Sequence, residues 1–177
     1  MLPEPLHPAV VHFPIVLAVL LPVAAIITVV LIRRGAARRG SWIWAALLAV
    51  GLAASSWFAV ETGEDQEDTV EQVVAESAIH DHEEAAETFL RLSVVGVVIF
   101  GLGLVSGRIG SGARYAAVGM AVLLLVAGYR VGKSGGELVY EHGAARAYPV
   151  SVTNSDRGWD GARSGGEESE RRDDGRR

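Results

Sequence analysis

Histidines are the residues of this chain with the most informative chemistry, because neutral imidazole is a common metal ligand and an axial ligand of haem iron. The 177-residue sequence contains five of them. His7 and His12 flank the start of the first apolar run, His82 precedes the third, and His142 follows the fourth. These four are predicted to meet at one end of a helical bundle, whereas His80 adjoins a run of acids and is interpreted as solvated surface.

Such a cluster would bind b-type haem or a transition metal, with His7, His12, His82 and His142 as the candidate ligands. The alternative is that they are interfacial residues bonded to water, headgroups or loop carbonyls. The chain has no cysteine, which excludes disulfides, thiolate metal sites and covalent c-type haem attachment within it. It contains no complete catalytic motif: both the Gly-x-Ser-x-Gly elbow and the His-Glu-x-x-His zinc helix are missing.

The elements that must position these side chains are four apolar runs, each about long enough to cross a bilayer as a helix, at residues 9–32, 42–60, 89–106 and 115–131. Half of the residues are hydrophobic and 21 are glycine, as in membrane proteins. The sequence therefore predicts an all-α, four-span membrane bundle at residues 1–150. The polar residues 151–177 predict a disordered tail.

Arginines in the short connections indicate the orientation of the bundle. The connections after the first and third runs contain no acid and hold Arg33, Arg34, Arg38, Arg39, Arg108 and Arg114. Residues 61–87 hold eleven acids and no basic residue. The positive-inside rule then places both arginine connections in the cytoplasm and both termini outside, with the first run retained as a span.

Local patterns add predictions for the connections. Apolar residues at helical spacing within 70–78 predict an amphipathic helix lying on the outer membrane surface. Asp81 and Glu84 resemble a capping box, which predicts that the third spanning helix begins near His82.

Tryptophans and glycines in and near the runs predict, respectively, contacts with the membrane interface and contacts between helices. Trp42, Trp44 and Trp57 lie near the ends of the second run and are typical of interfacial aromatic belts. Gly103 and Gly107 form a G-x-x-x-G pair, which favours close helix packing.

The segment after the fourth run contains adjacent glycines, Gly135 and Gly136. They predict a turn that packs the following apolar residues back over the bundle and carries His142 to its mouth.

The sequence resembles the bacterial membrane-domain family catalogued as domain of unknown function 2231, over roughly residues 1–150. The resemblance is carried by Leu6-His7-Pro8, Val11-His12-Phe13-Pro14-Ile15, Thr62-Gly63, His82-Glu83 and the Gly132–Gly143 segment. It implies a four-span domain of unestablished biochemistry in the bacterial inner membrane. It also implies an association with cytochrome c-type or Rieske-type electron carriers in the periplasm.

These observations lead to two hypotheses from different classes. The first is a redox-associated membrane domain that binds b-type haem or a transition metal at its periplasmic face. The second is a non-enzymatic scaffold, or a subunit of an envelope or electron-transfer complex, that holds a partner through its acidic connection. A transporter is less favoured because no charged residue lies near the middle of any run. The lipid bilayer is the expected environment, and nothing favours binding to nucleic acid.

Overall fold

The computed structural model describes residues 6–148, and its long elements are four helices. A short helix α1 (His7–Val10) leads into α2 (His12–Arg33), followed by α3 (Ile43–Val70), α4 (Glu76–Leu102) and α5 (Gly107–Tyr140). One-turn 3-10 helices precede α3 (Arg39–Trp42) and follow α5 (Ala144–Ala147). Four helices are long and apolar enough to cross a membrane, so the predicted all-α, four-span architecture is confirmed. The predicted tail, 151–177, lies outside the described residues.

The four long helices form a ring in which α2 and α4 each pack against both α3 and α5. Small and medium apolar side chains at three- and four-residue spacing fill its centre, among them Ala18, Leu21, Ala25, Ala49, Leu52, Ala117, Ala121 and Leu124. Because consecutive helices run antiparallel, the helix termini lie at the two ends of the bundle. The histidine end holds the starts of α2 and α4 and the ends of α3 and α5, and the arginine end holds the opposite termini.

Trp42 is a core residue of the arginine end. Its side chain is fully buried, its Nε1 donates a hydrogen bond to the carbonyl oxygen of Phe100 (2.9 Å), and its ring stacks on that of Phe100 at 5.5 Å between centroids. The prediction of an interfacial belt is therefore wrong for Trp42. Trp44 and Trp57 are exposed, as a lipid-facing belt requires.

The predicted packing of Gly103 with Gly107 on one helix face is also wrong, because α4 ends at Leu102 and α5 begins at Gly107. Gly107 has a φ of +81° and turns the chain into α5, a conformation that glycine adopts without strain. Gly103 lies beneath the indole of Trp42, where an added Cβ would come within 2.8 Å of Cε2. The absence of a side chain at Gly103 leaves room for the indole of Trp42.

At the histidine end the helices continue well past their apolar runs. α3 extends to Val70 and α4 begins at Glu76, so the predicted surface helix at 70–78 is replaced by a tight connection. Val74 and Ile79 are buried there against Ala144. The predicted capping box is wrong as well, since Asp81 lies inside α4, whose N-cap is Ala75 with no side-chain hydrogen bond. Val74, Ile79 and Ala144 thus form a small second hydrophobic core at the histidine end.

The predicted turn at Gly135 and Gly136 is not found, since α5 passes through both glycines to Tyr140. The chain turns instead at Gly143, which has a φ of +74°. At 1.5 Å per residue, the 34 residues of α5 extend about 51 Å, well beyond the roughly 30 Å hydrocarbon core of a bilayer. The bundle therefore has a substantial helical part outside the hydrocarbon.

Candidate functional site

Two histidines meet at the histidine end of the bundle. The rings of His7, from α1, and His82, from α4, lie edge to face with their centroids 6.5 Å apart and their planes at 87°. Both side chains are partly buried. A pair of imidazoles supplied by separate helices and shielded from bulk water is the central feature of this end.

His7 is fixed in place by α3. Its Nδ1 lies 2.9 Å from the carbonyl oxygen of Ala59 and 3.3 Å from Oγ1 of Thr62. A carbonyl oxygen can only accept, so Nδ1 carries the proton and donates it. In the neutral ring the lone pair is then on Nε2, which is the tautomer found in metal-bound histidines whose other nitrogen donates to a carbonyl.

His82 is fixed in the same manner by α5. Its Nδ1 lies 2.9 Å from Oγ of Ser134, and that hydroxyl donates its own proton to the carbonyl oxygen of Val131 at 3.1 Å. Because the serine proton is already used, its oxygen accepts from Nδ1 of His82. The neutral His82 ring therefore also has its lone pair on Nε2.

A glycine beside each hydroxyl makes room for the ring. A Cβ added at Gly63 would lie 3.3 Å from Cε1 of His7, and one added at Gly135 would lie 3.1 Å from Cε1 of His82. Each imidazole thus packs directly on a helix backbone. At Gly136 an added Cβ would meet nothing within 4 Å, so only the first glycine of that pair belongs to the site.

The two halves of the chain build the pair with the same parts. In each half, a histidine near the start of one helix bonds to a hydroxyl-glycine dipeptide late in the helix packed beside it, Thr62-Gly63 or Ser134-Gly135. The histidine and the hydroxyl residue are 55 positions apart in the first half and 52 in the second. The site is therefore assembled from two similar helical hairpins.

The site lies at the edge of the hydrocarbon region. Thr62 and Ser134 follow closely on the apolar runs that end at residues 60 and 131, and His82 precedes the run that begins at residue 89 by about 10 Å of helix. If the apolar runs fill the hydrocarbon core, this depth is that of the headgroup layer, where polar side chains can be partly shielded and still reached from water.

The structure brings together two of the four candidate ligands. His12, on α2, and His142, beyond the end of α5, are exposed, and so is His80, which was interpreted as surface. Within residues 6–148 no group of three or more His, Asp or Glu side chains is placed to hold a metal ion. The predicted meeting of four imidazoles is thus reduced to the His7–His82 pair.

Sequence reasoning missed the residues that hold the rings. Thr62, Gly63, Ser134 and Gly135 were not assigned to the site, although a hydroxyl residue followed by glycine near the end of the second and fourth spans is a signal visible in the sequence. Its meaning depends on the pairing of helices, which only the structure supplies.

The fold and the histidine pair define a class of protein: a small helical bundle, long and apolar enough to span a membrane four times, with a polar pair at one end. Over residues 3–147 the chain matches the family described as "Predicted membrane protein (DUF2231)". The chain belongs to this family, which confirms the resemblance noted in its histidine and glycine motifs. No curated protein and no solved structure matches the chain significantly.

Proposed function

We propose that this chain is a membrane-embedded metal-binding domain in which His7 and His82 supply two imidazole ligands to a transition metal, either as an ion or as the iron of b-type haem. The observation that carries the proposal is the matched tautomer of the two rings. Each Nδ1–H is committed to an acceptor on a neighbouring helix, which assigns both lone pairs to Nε2.

The distance between the ring centres is compatible with the proposal, and metal binding would turn the edge-to-face rings so that the metal lies in the plane of both. With metal–nitrogen distances of about 2.0–2.1 Å, two imidazoles on one metal have ring centres about 5–6.5 Å apart. The observed 6.5 Å lies at the upper end of that range. Such a centre would serve electron transfer with periplasmic carriers of the cytochrome c or Rieske type, the partners that the family resemblance implies.

Removal of either paired histidine tests the proposal. Protein expressed with haem precursor and trace metals supplied is expected to show a Soret band or near-stoichiometric metal, and His7→Ala or His82→Ala to lose it. The loss should exceed the about 10- to 100-fold fall in affinity that follows removal of a ligand's outer-shell partner. Absorption spectroscopy and elemental analysis of the purified protein provide the measurement.

The exposed histidines are the matched controls. His12→Ala, His142→Ala and His80→Ala each remove an imidazole outside the pair, and the geometry favours retention of the metal in all three. A loss with His12→Ala or His142→Ala would instead restore the four-ligand prediction. Wild-type protein that is colourless and metal-free after this expression would contradict metal binding.

The second candidate function, a scaffold that holds a basic partner, is favoured by the acidic surface beside the pair. Among the eleven acids at 61–87, nine are exposed on α3, α4 and their connection: Glu61, Glu64, Asp65, Asp68, Glu71, Glu76, Asp81, Glu84 and Glu87. A surface of one charge attracts a partner of the opposite charge and orients its approach. Co-purification that is lost at high salt, from metal-free protein, would support this function.

Both functions require the histidine end to face the periplasm, which is the orientation that the positive-inside rule predicts from the arginine connections. The cysteine-free chain allows single-cysteine labelling without background. Ala36→Cys is expected to react only after the inner membrane is permeabilised, and Gln72→Cys to react in intact spheroplasts. The reverse pattern would put the histidine pair and its partners in the cytoplasm.

A further inference from the structure

Arg114 is a buried cation at the arginine end. It lies on the core-facing side of α5 in register with Gly110 and Ala117, and only 6% of its surface is exposed. Among the described residues its Nε has no hydrogen-bond partner. A buried hydrogen-bond donor without a partner is unfavourable, so the position of this Nε needs an explanation.

The described chain offers no carboxylate to neutralise Arg114. Every acid within residues 6–148 lies between Glu61 and Glu87 or is Glu137 or Glu141, and all of these belong to the histidine end. Glu87 lies about 22 Å along α4 from its end at Leu102, whereas Arg114 lies about 10 Å from the start of α5. The two positions are therefore about 12 Å apart along the bundle, and Arg114 forms no ion pair with any described residue.

The charges that do surround Arg114 make its burial less favourable. Among the described residues, this end carries six arginines: Arg33, Arg34, Arg38, Arg39, Arg108 and Arg114. Arg39, at the start of the 3-10 helix before α3, belongs to the same end, and its positive charge repels that of Arg114. Arg33 uses one donor on the neutral hydroxyl of Tyr115 at 2.7 Å. This end therefore concentrates positive charge around a buried donor.

We infer that the arginine end binds a phosphate-type oxyanion, held by Arg114 from within the bundle and by Arg39 from its surface. A phosphate oxygen accepts charge-assisted hydrogen bonds from a planar guanidinium fork, which would give Nε of Arg114 the partner that the described residues do not supply. The same chemistry is available from an anionic lipid headgroup and from free phosphate. Basic recesses between spanning helices are well suited to anionic headgroups at this depth.

The test compares lipids and phosphate on the full-length protein purified in neutral detergent. Phosphatidylglycerol is expected to raise the midpoint of thermal unfolding and to be retained in native mass spectra, and phosphatidylcholine to do neither. Arg114→Met, which removes the charge while keeping an unbranched side chain, should reduce the apparent affinity for phosphatidylglycerol about tenfold or more, the scale of one lost charge-assisted contact. Arg108→Gln, at an exposed arginine of the same end, is the matched control and should retain most of the affinity.

Inorganic phosphate distinguishes the source of the anion. If phosphate alone reproduces the stabilisation and Arg114→Met abolishes it, the ligand is a free anion; if only phosphatidylglycerol acts, it is a headgroup. An equal response of Arg114→Met and wild type, or no response of wild type to either probe, would overturn the inference. Should Arg114→Met fail to fold, the exposed Arg39→Gln decides, and unchanged affinity in that variant would count against the site. None of these outcomes depends on metal binding at the histidine end.

Discussion

Trp42→Ala is expected to lower the unfolding free energy of the bundle by about 3 kcal/mol, at the low end of the range for truncating a buried tryptophan. Trp44→Ala, in the same segment, is expected to change it by no more than about 0.5 kcal/mol. The contrast follows from burial, because Trp42 is fully buried and Trp44 is 70% exposed.

Three losses combine in Trp42→Ala. The stack on Phe100 disappears, the carbonyl oxygen of Phe100 loses its donor, and a cavity opens between α4 and the start of α3. The transfer of apolar surface contributes little, because lipid chains are as apolar as the protein core. For that reason the estimate lies at the lower end of the range measured in soluble proteins.

Thermal or denaturant unfolding in mixed micelles provides the measurement, with Trp42→Phe and Gly103→Ala as companion variants. Trp42→Phe keeps an aromatic ring and loses the N–H donor, so it should cost about 1 kcal/mol. Gly103→Ala should destabilise as well, since its Cβ would lie 2.8 Å from Cε2 of the indole. Equal effects of Trp42→Ala and Trp44→Ala would show that Trp42 is not the core residue described above.

The two tryptophans also show why sequence alone predicts a membrane fold better than its packing. The existence of four spans follows from apolar length, and the structure confirms it. Which aromatic faces the bundle does not follow, because in a bilayer the inward and outward surfaces are both apolar and the contrast between faces is weak. Trp42 and Trp44 are both typical of an interfacial belt, and only the contact with Phe100 separates them.

The connection between α3 and α4 was predicted less well for a related reason. Apolar residues near 70–78 carry a helical period, which is compatible with a helix on a membrane surface and equally with a small core shared by neighbouring helices. Ala144, more than sixty positions along the chain from Ile79, completes that core. A contact of such separation leaves no signature in the local sequence.

The histidine site was predictable in part. The positions of His7 and His82 at the starts of helices that share one end were sufficient to name them as candidates. Their selection over His12 and His142 depends on the rotation of each helix about its axis, which places His12 outward on α2. The hydroxyl-glycine dipeptides would have pointed to the His7–His82 pair, because each of these histidines uses both a partner for Nδ1 and room for its ring.

Gly135→Val is expected to displace the His82 ring and to reduce any metal affinity of the pair by about 10- to 100-fold or more, as removal of outer-shell support does. An added Cβ at this position would already lie 3.1 Å from Cε1 of His82, and valine adds further methyl groups at that point. The ring would have to leave Oγ of Ser134, and the lone pair on Nε2 would no longer be fixed in direction.

Gly136→Val is the matched control, since it makes the same chemical change on the same helix where an added Cβ meets nothing within 4 Å. Both variants replace a helical glycine by valine, so their effects on helix propensity cancel in the comparison. Any difference between them reports on the space beside His82 alone.

Nitrogen-15 chemical shifts of the imidazoles provide a readout that does not require a bound metal. In wild-type protein, both paired rings are expected in the tautomer with the proton on Nδ1, and Gly135→Val should change the tautomer population of His82 while leaving that of the exposed His80 as it is. Gly63→Val should do the same to His7, because the two halves of the site are built alike. If Gly135→Val and Gly136→Val give the same His82 spectrum, the space at Gly135 does not determine the position of the His82 ring. The hydroxyl-glycine dipeptides would then give no support to metal binding by the pair.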